Sequence, residues 1–136
     1  MNAFDGIVNF DGQDFILNSI QDKIDTLSNS GLYIGLLTSY TGTTTDQINN
    51  GLTEYVGTGY TRLLSTNWVV NVDSHHISGN SVEFTPTIIW KQIKGYFVSE
   101  SENGNTCLWY QSFPLIEQGD FAIGFPVIIK PYFKQN

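Results

Sequence analysis

From Leu32 onward the chain is a succession of short apolar runs, each cut off within about ten residues by glycine, proline or a polar turn. That rhythm suits strands and leaves little room for helices. Leu32-Tyr33-Ile34-Gly35-Leu36-Leu37-Thr38 is too short for a buried helix and rich enough for a central strand covered on both faces. Trp68 to Val72 continues the strand pattern, and Ser78-Gly79-Asn80 supplies a turn. Val82-Glu83-Phe84-Thr85 alternates with period two, and Pro86 ends it because proline has no N–H for an interior ladder. Ile93 to Ser99 and Thr106 to Phe113 flank Asn103-Gly104, and an Asn-Gly pair between two apolar runs signals a hairpin. After the turn at Gly119-Asp120, residues Phe121, Ile123, Phe125, Val127 and Ile129 share one face of a last strand, with Pro126 marking an edge or bulge. The expected fold is mainly β, an antiparallel β-sandwich or barrel-like domain.

One N-terminal α-helix is expected to accompany it. Ile16, Ile20, Ile24 and Leu27 recur at helical spacing between Asp14 and Leu27, and Asn29-Ser30-Gly31 ends the run. Before it, Phe4-Asp5-Gly6 is echoed by Phe10-Asp11-Gly12, which reads as an extended arm. Such a terminus is ordered only where its apolar residues dock, so Phe4, Val8 and Phe10 are candidate assembly contacts. The expected organisation is an arm at 1–12 and one β-rich domain at 13–136, a length that suits a single core. Between the first strand and the next apolar residues, Ser39 to Asn50 is almost wholly polar and reads as the longest exposed loop.

The centre of the chain is the stretch Thr53-Glu54-Tyr55-Val56-Gly57-Thr58-Gly59-Tyr60-Thr61-Arg62-Leu63. Gly57 and Gly59 bracket one threonine, and glycine tolerates positive φ, so a bulge or tight corner is expected there. Beyond it Tyr60, Arg62 and Leu64 are expected on one face of a strand. Arg62, one of six Lys/Arg residues, then pairs locally or stacks on an aromatic. No GxGxxG or Walker lysine completes Gly57-Thr58-Gly59 as a phosphate loop.

Composition narrows the function. Only 14% of residues are charged, against about 25% in ordinary soluble proteins. Ser, Thr, Asn and Gln number 43, a balance suited to surfaces that face other protein as well as water. A net charge of -7 with no basic stripe argues against nucleic acid, whose affinity depends on Lys/Arg neutralising phosphates. No stretch approaches eighteen apolar residues, and no basic region followed by an apolar run opens the chain, so neither membrane insertion nor a classical export signal is expected. Cys107, the single cysteine, reads as a small buried hydrophobe. His75 and His76 splay apart if extended, and no metal site, cofactor or catalytic residue is expected. Trp68, Trp90 and Trp109 with seven tyrosines are compatible with stacking on sugar rings, although an all-β core uses the same residues.

In order and spacing, several of these signals resemble a family of small bacteriophage virion proteins described as tail fibre proteins. They are Leu32 to Thr38; Thr53-Glu54 with Gly57-Thr58-Gly59-Tyr60-Thr61-Arg62; Ile77-Ser78 through Pro86; Trp90; Ile93 to Val98; Gly104-Asn105 entering Leu108-Trp109-Tyr110; and Gly119-Asp120. Together they cover roughly residues 32 to 130. Ser39 to Asn50 is longer than the corresponding loop of that family, and the arm has no counterpart in it. The resemblance implies a noncatalytic virion structural protein of a tail fibre, baseplate or capsid decoration, made in the host cytoplasm. The implied partners are other virion proteins and other copies of the chain, as a homotrimer. The alternative is a lectin-like module that binds a host surface glycan.

Overall fold

Strand β1 (Leu32–Ser39) is the spine of the molecule, with Ile34, Leu36 and Leu37 fully buried. The computed structural model describes residues 31–43, 46–71 and 76–134. The arm and the N-terminal helix of the sequence reading lie outside these residues. Along one edge, β1 pairs antiparallel with β9 (Gly95–Ser99), from Tyr33 opposite Ser99 to Leu37 opposite Gly95. Its other edge is shared. The first half pairs with β4 (Leu63–Ser65) and the second with β3 (Gly51–Glu54). Adding β10 (Trp109–Ser112) beside β9 and the short β2 (Gln47–Ile48) beside β3 completes a six-stranded sheet.

Three smaller sheets share the core with it. The strands β5 (Val69–Asn71), β6 (His76–Ser78) and β13 (Tyr132–Lys134) form one. The strand β7 (Val82–Phe84) pairs with β12 (Val127–Ile129), and β8 (Trp90–Ile93) with β11 (Gly119–Phe121). Among the described residues the fold is mainly β with curled sheets, and the only helical piece is the 3-10 turn Leu115–Glu117. No helix among them is long and apolar enough to cross a membrane.

Large aromatic side chains fill the space between the sheets. Trp90, Trp109, Tyr96, Tyr110, Phe97 and Phe133 are all fully buried, which is the core role their β-rich setting favours. Trp68 packs edge-on against Trp109 at 5.6 Å between ring centroids. Cys107 is buried as expected, and its thiol donates to the Trp109 carbonyl. One carbonyl joins two sheets. The Tyr132 oxygen accepts from Tyr96 Oη, Trp109 Nε1 and Gln111 Nε2, while Tyr132 N donates back to Tyr96 Oη at 3.0 Å.

The strands of the expected hairpin pair as β9 and β10, with Trp109 opposite Val98 and Ser112 opposite Gly95. Asn103-Gly104 is part of a longer connection, not a two-residue turn. The Ser101 hydroxyl accepts from both Asn103 N and Gly104 N and holds that connection in place. The last strand of the sequence reading is broken. Gly124 adopts φ +77, its N–H donates to the Pro86 carbonyl, and the chain turns between β11 and β12. Phe121, Val127 and Ile129 stay buried as expected, but Ile123 and Phe125 are left exposed on the turn.

The stretch read as the longest exposed loop has an interior anchor. Asp46 is 6% exposed, and its carboxylate accepts from Thr41 N, Gly42 N, Thr43 Oγ1 and Tyr110 Oη at 2.7–3.1 Å, and from the Thr41 hydroxyl. Ile48 is buried beside it, and the Gln47 amide both donates to and accepts from the Cys107 backbone. Short polar residues serve here because threonine hydroxyls and loop N–H groups can converge on one charge.

Burial alone would raise the Asp46 pKa, but the hydrogen bonds from Thr41, Thr43 and Tyr110 outweigh it and bring the carboxyl from 3.8 to about 2. With the folded pKa below the unfolded one, this stabilisation is complete above the unfolded value and is lost as pH falls through about 2. In thermal denaturation followed from neutral pH downward, the native chain is expected to lose stability more steeply than D46N between about pH 4 and pH 2. Equal slopes would show that Asp46 is not held this way.

Candidate functional site

Between the β3 and β4 pairings, the chain leaves β1 and crosses over its edge as the loop 55–62. This departure would leave the ladder short, but side chains and one backbone bond fill it. Tyr55 N donates to the Leu36 carbonyl at 2.9 Å, and Tyr60 reaches back so that its hydroxyl accepts from Leu36 N at 2.9 Å. The same hydroxyl donates to Glu54 Oε2 at 2.5 Å. Gly35 makes the approach possible, because a Cβ there would run into the Phe97 ring and crowd the Tyr60 hydroxyl.

Arg62 completes the cluster. Its Nε and Nη2 donate to the two Glu54 oxygens at 3.0 and 2.7 Å, a forked pairing that matches guanidinium to carboxylate. Nη1 donates to the Ser101 carbonyl at 2.8 Å, and the guanidinium lies 4.8 Å from the centroid of the Phe97 ring. Both expected roles of Arg62, local pairing and stacking on an aromatic, are present. Arg62 side-chain exposure is 3%, whereas Glu54 keeps 18%. Burial and the Glu54 charge push the Tyr60 phenol well above its ordinary range, so it stays a neutral donor.

The glycines of the turn act differently from each other. Gly59 has φ +79, as a tight corner requires. Gly57 is not at positive φ; it is needed because a Cβ there would collide with the Tyr55 hydroxyl. The expected shared face of Tyr60, Arg62 and Leu64 is not formed. Regular pairing begins only at Leu63, so Tyr60 and Arg62 turn inward from the loop, while Leu64 is 46% exposed. Phe4, Val8 and Phe10 lie outside the described residues.

Above the cluster opens a cleft of about 500 Å³. Glu54, Tyr60 and Arg62 line it together with Val56, Thr61, Glu102 and Asn103. Its volume falls in the range of small-ligand sites. Its charged floor is already paired, so its chemistry is that of hydrogen-bond recognition. The Tyr60 hydroxyl and the Arg62 guanidinium at its floor both donate to Glu54. Among the described residues, no three of His, Cys, Asp and Glu gather to hold a metal ion. His76 lies beside Tyr132, and His75 is outside the described residues.

A second feature adjoins the cleft. Thr58 O accepts from Trp90 Nε1 at 3.2 Å and from Thr87 Oγ1 at 3.5 Å, so the loop 55–62 abuts the loop that follows Pro86. Gly124 N, bonded to Pro86 O, adds the β11–β12 turn to the same end. These three loops leave Val56, Ile88, Ile89, Ile123 and Phe125 between 41% and 88% exposed. The alternation in the sequence places Ile123 and Phe125 with the core; the glycine between them is the local signal that the strand is interrupted.

Tyr60→Phe removes the acceptor for Leu36 N and one donor to Glu54. The expected loss is about 1–3 kcal/mol, read as a lower urea midpoint at unchanged slope. A midpoint equal to that of the native chain would mean that water replaces the hydroxyl at no cost. Comparison of the chain with protein-family models, with curated proteins and with solved structures returned no match.

Proposed function

We propose that this chain is a noncatalytic structural protein of a bacteriophage virion, serving in a tail fibre, baseplate or capsid decoration as an assembly or host-facing module. The observation that carries the reading is the loop end bearing Val56, Ile88, Ile89, Ile123 and Phe125, on a chain only 14% charged. Large apolar side chains left in water on neighbouring loops are a feature of surfaces that meet other protein, and interface cores are depleted of charge. The family resemblance of residues 32 to 130 supports the virion context. The mutual engagement of Glu54, Tyr60 and Arg62 supports a structural role for the charged cluster. In this reading the curled sheets make a sandwich- or barrel-like body, and the chain works as a homotrimer among other virion proteins after synthesis in the host cytoplasm.

The lectin-like alternative rests on the cleft, where Glu54, Glu102, Asn103 and Thr61 offer hydrogen-bonding groups of the kind that hold sugar hydroxyls. Two measurements separate the readings. Mass spectrometry of gradient-purified phage particles is expected to find the chain as a stoichiometric component, and its absence would overturn the virion role. A glycan array probed with the isolated protein is expected to be silent; saturable binding abolished by changes at Glu102 and Asn103 would favour the lectin.

A further inference from the structure

We infer that the apolar loop end receives the N-terminal arm of a neighbouring copy of the chain, so that subunits join head to tail. The inference rests on the self-assembly proposed above and adds the surface and its occupant. Ile88 and Ile89 sit on one loop and Ile123 and Phe125 on another, and the bond from Gly124 N to Pro86 O holds the two together. The arm at 1–12 offers a matching set, Phe4, Ile7, Val8 and Phe10, in a segment with no Lys or Arg.

Charge agrees with this pairing. Lys91 follows the exposed pair Ile88 and Ile89 by two residues, keeps a side-chain exposure of 73%, and meets Asp120 only at 3.8 Å. Asp5 follows Phe4 and Asp11 follows Phe10 in the arm, and both would approach such a lysine. Length agrees too. Residues 13–30 separate the arm from Gly31 and span at most about 60 Å when extended. A chain of this size has a radius of gyration of about 14 Å, so the arm can cross to a neighbour. Each copy has one arm and one loop end, so a closed ring satisfies every end without leaving an open contact.

The test uses the full chain with two positions changed, Asn9→Cys in the arm and Ala122→Cys at an exposed position beside Ile123. The native Cys107 is buried and its thiol is pushed further from reactivity by burial, so a short bis-maleimide reads the introduced pair. The expected product is a covalent ladder that passes dimer and ends at trimer. Either single variant is expected to stay uncross-linked, since its one introduced cysteine has no partner at the head-to-tail contact and Cys107 is buried. Adding Ile123→Ser and Phe125→Ser is expected to abolish the ladder while the far-UV circular dichroism stays that of the native chain. A ladder ending at dimer would support the neighbour's arm and overturn the three-fold count. An internally cross-linked monomer would show that the arm covers its own domain and would overturn the inference. Trimers seen by light scattering without cross-linking would overturn the arm's placement and leave the assembly reading standing. A chain that scatters as a monomer at high micromolar concentration would overturn both.

Discussion

A tyrosine hydroxyl stands in for a missing stretch of β-ladder, and the arrangement around β1 depends on it. β3 and β4 take opposite halves of one edge of that strand, and the crossing chain between them removes the regular backbone partner of Leu36 N. An amide left unpaired at a buried position costs about 1–3 kcal/mol, so something must accept from it. Tyr60 accepts from it while donating its own O–H to Glu54, and Glu54 is held in turn by the Arg62 fork. Arg62 then ties the cluster to the Ser101 carbonyl, which belongs to the connection between β9 and β10. Each group is thus satisfied through another, and hydrogen bonds in such a chain polarise one another.

The same cluster sets what the surface presents. Since Tyr60 is pulled inward, the residues before it bow outward, with Val56 88% exposed and Thr58 O aimed at Trp90 and Thr87. The loop after Pro86 is thereby fixed beside the cleft, and the β11–β12 turn is fixed beside that loop by Gly124. The polar cluster at the edge of β1 and the exposed apolar side chains are thus connected through one set of loops.

Two other polar groups perform comparable service. The Asp46 carboxylate organises a threonine-rich loop that has no apolar face of its own, and links it to Tyr110 of β10. The Tyr132 carbonyl gathers donors from Tyr96, Trp109 and Gln111 and attaches the sheet of β5, β6 and β13 to the six-stranded one. Short strands of two to five residues make few ladder bonds, so such side-chain ties carry a larger share of the attachment between sheets.

What the amino-acid sequence determined by itself is whatever a short window can encode. Period-two alternation placed Val82 and Phe84 inward, the apolar run at Leu32 became the central strand, and the runs either side of Asn103-Gly104 became neighbours. Arg62 was legible as a side chain that pairs locally or stacks on an aromatic, because it is one of only six Lys/Arg residues and follows the turn into an apolar strand, while its partner Glu54 was named only by the fold. What only the tertiary structure decided depends on contacts between distant residues. Asp46 meets Tyr110 across 64 positions, and Gly124 meets Pro86 across 38. Alternation says which residues share a face but not whether another sheet arrives to cover that face. Phe121 and Val127 found such cover, while Ile123 and Phe125 sit at a turn made by a positive-φ glycine and did not. Burial is settled by the return of remote chain, and that return is governed by packing and hydrogen-bond satisfaction across the whole molecule rather than by local pattern.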